Sequence, residues 1–340
     1  MPPIGVASLM HPTATPLLRD QPENLPDRPD PLPHPIACRT WAPMTGPLLD
    51  YARRYADAHV DHAGVAATPV GGLVILRETA PTMLQYAVSK PLIALVLQGS
   101  KRVTMGSATF DFGAGDSLLI TTDVPTVSQI TTASRALPYY SLVLELDPAI
   151  IAGLVGEIGA APFEPNQPVR VDPTEAEVAD AALRLLRLLD RSATLAVLGP
   201  QLKRELHYWL LSGRHGGAIR ALGVTDSHAQ RIARAVAMLR THYAEAVKVE
   251  ALAEGAGMSL SAFHVHFRSI TSLSPLQFQK QLRLIEARRR MLALGEVISD
   301  AAYSVGYESV PQFTREYGRM FGQPPARDVR QARAQMSDAA

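Results

Sequence analysis

The 340-residue sequence predicts an α+β protein: an N-terminal β-barrel with packed helices, then an all-α domain built from two helix-turn-helix units. Three observations predict it. Between Gly64 and Leu146, apolar runs of four to eight residues alternate with glycine turns. Beyond Ser227 the apolar residues fall at helical spacing, and a unit of 49 to 50 residues occurs twice. Charge divides along the same line: residues 227–340 carry 15 Lys+Arg against 10 Asp+Glu and the rest 18 against 22, although the whole chain sums to +1. A basic third on a neutral chain fits a nucleic-acid module joined to something that is not one.

Residues 1–46 form a proline-rich arm; residues 1–47 hold 12 of the 27 prolines. Such a stretch buries too little apolar surface to fold alone, so it is either a disordered arm or the product of a start codon assigned too far upstream. Cys38, the only cysteine, lies in it: a surface thiol or a redox sensor, with no internal disulfide available. Residues 47–213 form the first domain. Leu48, Leu49, Ala52 and Tyr55 mark a helix over 47–60, and strands follow at 73–76, 92–97, 102–105, 108–112, 117–121, 127–130 and 140–146. A helix starting at Asp172 or Pro173 runs through Asp190, and a second covers 194–212. Their long leucine stripes pack on the barrel or pair with a second copy of the chain. The glycine-rich stretch 214–226 reads as a linker.

The DNA-binding reading rests on 227–331. In the repeat Ala253 matches Ala302, Gly257 matches Gly306, Phe263 matches Phe313 and Phe267 matches Tyr317. A small residue lets two helices cross closely. A turn glycine takes a left-handed conformation that a side chain strains. Ser259 and the pair Glu308/Ser309 cap the second helix of each unit, and aromatics four apart anchor it. A helix opened by Pro275 and running to Leu294 joins the units. Its 20 residues span about 30 Å, close to the ~34 Å of one B-DNA turn.

Subtracting the inward aromatics leaves the base-facing candidates. They are Ser261, His264, Val265 and Arg268 in the first unit, and Ser309, Val310, Gln312, Thr314, Arg315 and Arg319 in the second. Arg315 suits guanine and Gln312 suits adenine by paired hydrogen bonds; Arg268 and Arg319, near helix ends, suit phosphates. His264 and His266 point to different sides of their helix and make a poor metal pair. Residues 332–340 read as a disordered tail.

These residues resemble the AraC/XylS family of bacterial transcription regulators. GYESVPQFTREYGRMFG (306–322) with Pro324 and Pro325 carries the strongest likeness, and SPLQFQKQLRLIEARRRML (274–292) is similar to the family's connecting helix. VLQGSKRVTMG (96–106), the turn FDFGAGDSLLI (110–120) and LGPQLKRELHYWLLSG (198–213) are similar to one AraC-type N-terminal domain. The resemblance implies a cupin-like barrel that senses a small molecule and dimerises, bound to promoter or operator DNA, with RNA polymerase a candidate partner. Relatives often carry a basic residue where this chain has Val265, so the first unit is expected either to prefer a thymine methyl there or to bind less specifically.

Polar groups on the barrel that suit an effector are Gln98, Lys101, Arg102, Tyr139 and Tyr140, with Gln129 beside them; each equally suits a structural role. No cofactor or metal is expected. No histidine occurs between Ala63 and Glu205, whereas cupin metals need clustered histidines. A nucleophile elbow, a phosphate-cradling loop and a CxxC pair are absent too. Two alternatives stand beside an effector-controlled regulator: a DNA-binding regulator without an effector, and a cupin enzyme fused to a DNA module. With no leader-like or 18-residue apolar stretch, the expected location is the cytoplasm, at the nucleoid.

Overall fold

The structure, a computed structural model, describes residues 45–338 apart from 107, 159–167 and 225. The expected proline-rich arm up to residue 44, Cys38 and the last two residues lie outside the described residues. The described residues open with helix α1 (Thr45–His59), two residues before the expected start; its Leu48, Ala52 and Ala56 are fully buried at helical spacing. Strands β1 (Val65–Ala67), β2 (Leu73–Glu78), β3 (Gln85–Ser89), β4 (Leu92–Gln98), β5 (Ser100–Met105), β6 (Ala108–Gly113), β7 (Asp116–Ile120), β8 (Val124–Thr132) and β9 (Tyr139–Glu145) follow. Helix α2 (Pro148–Ile158) and strand β10 (Val169–Pro173) complete the layer.

All pairings are antiparallel. One sheet has the order β1-β2-β9-β4-β7-β10 and the other β3-β8-β5-β6. They face each other as an open, cupin-like pair rather than a closed barrel, since no ladder joins one sheet to the other among the described residues. Pro125 lies within β8 opposite Val88. The β5 ladder begins only at Val127, so the missing proline N–H leaves no hydrogen bond of that ladder unmade.

Alternation divides β4 cleanly. Ile93, Leu95 and Leu97 pack outward on the helices, while Ala94 and Val96 pack between the sheets. The outer core is closed by α1, α3 (Ala176–Leu186), α4 (Ser192–Ser212) and α5 (Gly216–Gly223). Helix α3 starts later than expected because Asp172 and Pro173 pair with Ser117 and Asp116 as the end of β10. The expected linker over 214–226 is largely α5, packed on α2 and α4. A Cβ on Gly216 would sit 2.2 Å from the Leu211 carbonyl oxygen, and one on Gly223 would sit 2.8 Å from Ile151. These glycines serve close approach rather than flexibility.

The remaining helices are α6 (His228–Thr241), α7 (Val249–Gly255), α8 (Leu260–Thr271), α9 (Pro275–Arg289), a π turn over Arg290–Leu294, α10 (Ile298–Ser304), α11 (Val310–Phe321) and α12 (Pro325–Asp338). The core between the sheets continues without a break into the first helix-turn-helix unit, through Ile232, Phe263, Phe267 and Phe278. The second unit has its own core around Met291, Ala302, Phe313 and Tyr317. The tail expected over 332–340 is helical to Asp338: α12 is docked, with Val329 against that second core and Arg333 donating to the Met291 carbonyl at 3.1 Å.

Candidate nucleic-acid interface

Helices α8 and α11 are the second helices of the two units. Gly257 and Gly306 open their turns with φ of +63° and +87°. Ser259 caps α8 by accepting from the Ala262 N–H at 3.4 Å. Ser309 occupies the matching position on α11, but its side chain makes no capping hydrogen bond; Pro311 in the first turn has no N–H to be capped. Phe263, Phe267, Phe313 and Tyr317 are all fully buried. They turn the opposite faces outward: Ser261, His264, Val265, Arg268, Gln312, Arg315 and Arg319 are exposed, while Ser309, Val310 and Thr314 are half-buried.

Arginines in this domain fall into two sets. Arg231, Arg234, Arg240, Arg288, Arg289 and Arg290 are each bound to a carboxylate. Among the described residues Arg268 on α8 and Arg315 and Arg319 on α11 make no ion pair, nor do Arg327 and Arg330 on α12, while Arg283 and Arg333 bind main-chain carbonyls instead. Gln312 donates to Glu316 at 3.4 Å along its own helix, and Glu316 also takes the Tyr307 hydroxyl and Lys280. His266 is half-buried and stacks on His228 with ring centroids 3.8 Å apart. Burial, then the neighbouring His228, holds its imidazole below the ordinary value.

Arg283 on α9 fixes one unit against the other. Its guanidinium donates to the carbonyls of Tyr243 (2.6 Å), Ala244 (3.2 Å) and Glu245 (2.9 Å) in the α6–α7 loop, and to that of Gly306 (3.0 Å). Gln279, one turn earlier, reaches the Tyr243 and Glu245 carbonyls as well. At the far end Asp328 on α12 receives Arg288 of α9 at 2.7 Å, Tyr317 of α11 at 2.6 Å and Gln323 at 3.1 Å. Burial opposes its ionisation, yet these donors hold the carboxyl below the usual carboxylate range. Sequence periodicity found the helices but not this bracing, because the acceptors are mostly main-chain carbonyls that no side-chain pattern reports.

The expected effector residues do not form one group. Arg102 is exposed and paired with Asp111. Gln98 donates to the Pro138 carbonyl at 2.6 Å, and Gln129 to that of Thr82 at 3.0 Å. The Tyr140 hydroxyl is bound to Asp57 at 2.8 Å. Tyr139 is 1 % exposed, and burial pushes its phenol up. Lys101 shares the inner strand face with Val103 and Met105; burial pulls its ammonium down to about 8, with Glu78 opposing. The apolar interior expected to hold a ligand is filled by Val96, Val103, Met105, Phe112, Leu118 and Tyr139. Large cavities lie elsewhere. One of about 670 Å³ opens between α4 and residues 69–71, and one of about 420 Å³ lies where the sheets meet α6.

One constellation escaped sequence reasoning. Ser117 Oγ lies 2.8 Å from His215 Nε2, and His215 Nδ1 lies 3.4 Å from Asp172. The order Ser–His–Asp resembles a hydrolase triad, but Ser117 is 2 % exposed and donates to the Asp172 carbonyl. It ties α5 to the sheet. No group of three or more His, Cys, Asp or Glu residues suited to a metal occurs among the described residues. None of the described helices is long and apolar enough to cross a membrane.

The two halves match two known families. Residues 69–218 match the AraC-type transcriptional regulator N-terminus, and residues 252–331 match a helix-turn-helix domain. Matches in both halves support an AraC-type transcriptional regulator. The chain is 33% identical over 103 residues to the HTH-type transcriptional activator RhaS of Escherichia fergusonii, a match spanning 30% of this chain and 37% of that protein. RhaS of Salmonella arizonae is 34% identical over 111 residues, 33% of this chain and 39% of the relative. The chain thus aligns with well under half the length of these relatives. In fold it is similar to ToxT from Vibrio cholerae bound to an unsaturated fatty acid, with a TM-score of 0.51 at 10% identity over 76% of this chain and 93% of ToxT. A second ToxT structure gives a TM-score of 0.52 at 10% identity, covering 76% of this chain and 97% of that one.

Proposed function

We propose that the protein is a sequence-specific DNA-binding transcription regulator, without enzymatic activity, that responds to a small molecule. The observation that carries the reading is the braced pair α8 and α11: each turns an exposed face outward, and Arg268, Arg315 and Arg319 are left without carboxylate partners. Unpaired guanidiniums on a helix face suit phosphates and guanine edges. The RhaS relatives are activators, which favours activation with RNA polymerase as a partner. ToxT bound to a fatty acid supports an effector for a protein of this fold. DNA binding in turn supports a cytoplasmic, nucleoid location. Val197, Leu198 and Tyr208, apolar side chains exposed on α4, favour a homodimer.

Within the interface, Arg315 and Gln312 read bases, Arg268 and Arg319 hold phosphates, and Ser261, His264, Ser309, Val310 and Thr314 line the groove. Val265, 66 % exposed, offers a thymine methyl contact in place of a cation, so the second unit carries more of the discrimination. Selection of bound sequences from random DNA tests this. Arg315→Ala should relax preference at one base pair by about 1–3 kcal/mol, and Arg319→Ala should weaken all sequences alike. Equal effects of both substitutions on selected and random DNA refute the assignment.

A further inference from the structure

The cavity of about 670 Å³ beside α4 takes none of its lining from α6 to α12. Leu195, Gly199 and Pro200 of α4 border it, with Val70 and Leu189 completing its apolar part. Two of these residues are out of place inside a 21-residue helix. Pro200 has no N–H to give the Ala196 carbonyl, and Gly199 is a poor helix former, so α4 is weakened where it borders the cavity. Further along the same face Leu206 and Leu210 are buried in the core. One face of α4 therefore packs in its second half and borders open space in its first. Both the weak turn and the unfilled apolar hollow cost stability, and local rules are broken in this way chiefly at functional sites.

The charged groups collect at one end. Lys203 lies eight residues beyond Leu195, about 12 Å along the helix, with Arg204 next to it. Asp147 is the one carboxylate in the lining among the described residues, and both its oxygens are engaged. One accepts from the Ala149 and Ile150 N–H groups, the other from Lys203 at 3.2 Å. Arg204 donates to Glu157 at 2.7 Å, but Glu157 lies outside the lining and its side chain is 68 % exposed. An ammonium carries three N–H donors and a guanidinium five, so both cations keep donors for an anion. Two cations against one carboxylate also leave the lining a net positive charge.

We propose that this cavity binds a small amphipathic carboxylate, its head held by Lys203 and Arg204 and its apolar body lying along α4 toward Leu195 and Leu189. The site stands apart from DNA binding; its consequence rests on the homodimer reading given above. Val197 and Leu198, exposed on the other side of the same helical turns, belong to the face assigned there to the second copy. A guest supplies the packing that the first half of α4 lacks and holds that face in one arrangement. A ligand shifts an equilibrium only by its different affinity for the two states. This guest has such a difference, because its site is complete only when α4 is formed through the weak turn.

The test uses the full chain and three probes on one skeleton: phenylbutyrate, phenylbutanol, which has no charge, and phenylbutylamine, whose charge is reversed. Calorimetric titration gives the affinities, and sedimentation equilibrium gives the pairing of chains with and without each probe. Phenylbutyrate should bind tightest, the amine weakest, and phenylbutyrate should strengthen pairing severalfold. Arg204→Gln, at an exposed position, should weaken phenylbutyrate tenfold or more and leave phenylbutanol unchanged. Ala196→Phe, also at an exposed position, occupies the apolar end and should weaken both. The proposal is overturned if phenylbutyrate does not bind, if the alcohol or the amine binds more tightly, or if either variant keeps the native affinity for phenylbutyrate. Binding at the cavity with unchanged pairing overturns the coupling. A chain that stays monomeric at every concentration, with and without probe, overturns instead the homodimer reading, and the two variants still decide the site.

Discussion

At the scale of single residues, two turn glycines that are equivalent in the repeat have unequal surroundings. Both adopt positive φ, which costs an L-residue about 1–2 kcal/mol. A Cβ on Gly257 would meet nothing within 4 Å, whereas one on Gly306 would lie 1.9 Å from the Ala244 carbonyl oxygen. Gly257→Ala should therefore cost about 1 kcal/mol and Gly306→Ala at least about 2 kcal/mol, measured by urea unfolding. His215 makes a pH-dependent contribution. Burial pulls its imidazole down to about 4; Asp172 opposes this and Arg170 adds to it. Above pH 6.5 both folded and unfolded chains keep it neutral. As pH falls from 6.5 toward 4, only the unfolded chain takes the proton, so stability declines, by roughly 3 kcal/mol in full. Denaturation curves at pH 7, 6 and 5 should show this slope, and His215→Asn should flatten it. An unchanged slope in the variant counts against the assignment.

Among the elements, α12 does more than end the chain. It supplies Asp328, on which Arg288, Tyr317 and Gln323 converge from α9, from α11 and from the turn before α12. Asp328→Ala leaves a largely buried guanidinium without its partner and should cost about 3 kcal/mol, read as a lower urea midpoint. Sequence patterns made the regular elements legible where one face is apolar and the other wet. Helices α6 to α11 declared themselves by aromatic and leucine spacing, and β4, β5, β7 and β9 by runs between glycines. What escaped has a physical reason in each case. Strand β3 has no fully buried residue, so its alternation is faint. Glycines in α5 looked like a hinge because sequence does not show what a missing Cβ leaves room for. The outward faces of α8 and α11 follow from the aromatics alone. The expected effector residues do not, since a polar side chain on a strand reads the same whether it binds a ligand, a carbonyl or a carboxylate.

On the scale of the whole molecule, the sheet half and the helix-turn-helix half are not beads on a string. The core between the sheets runs into the first helix-turn-helix unit, and Tyr86 of β3 meets Phe321 of α11 edge to face at 4.5 Å. With α5 packed rather than loose, a change in the sheets reaches α6 through solid contacts. The bracing by Arg283 sets a further property. Loops from both units share one guanidinium, so the recognition helices cannot slide apart to suit the DNA. Under the proposed function, the protein then acts as a ruler as well as a reader. On an operator selected for tight binding, inserting five base pairs between the two recognised segments turns one of them to the opposite side of the duplex, since one turn takes about 10 base pairs. Gel-shift affinity should fall to the level of a single segment. Inserting ten restores the facing but doubles the gap, and the affinity should stay low. Relaxing the brace with Arg283→Ala should blunt that intolerance, so the length of DNA between the two segments is itself part of the address the chain recognises.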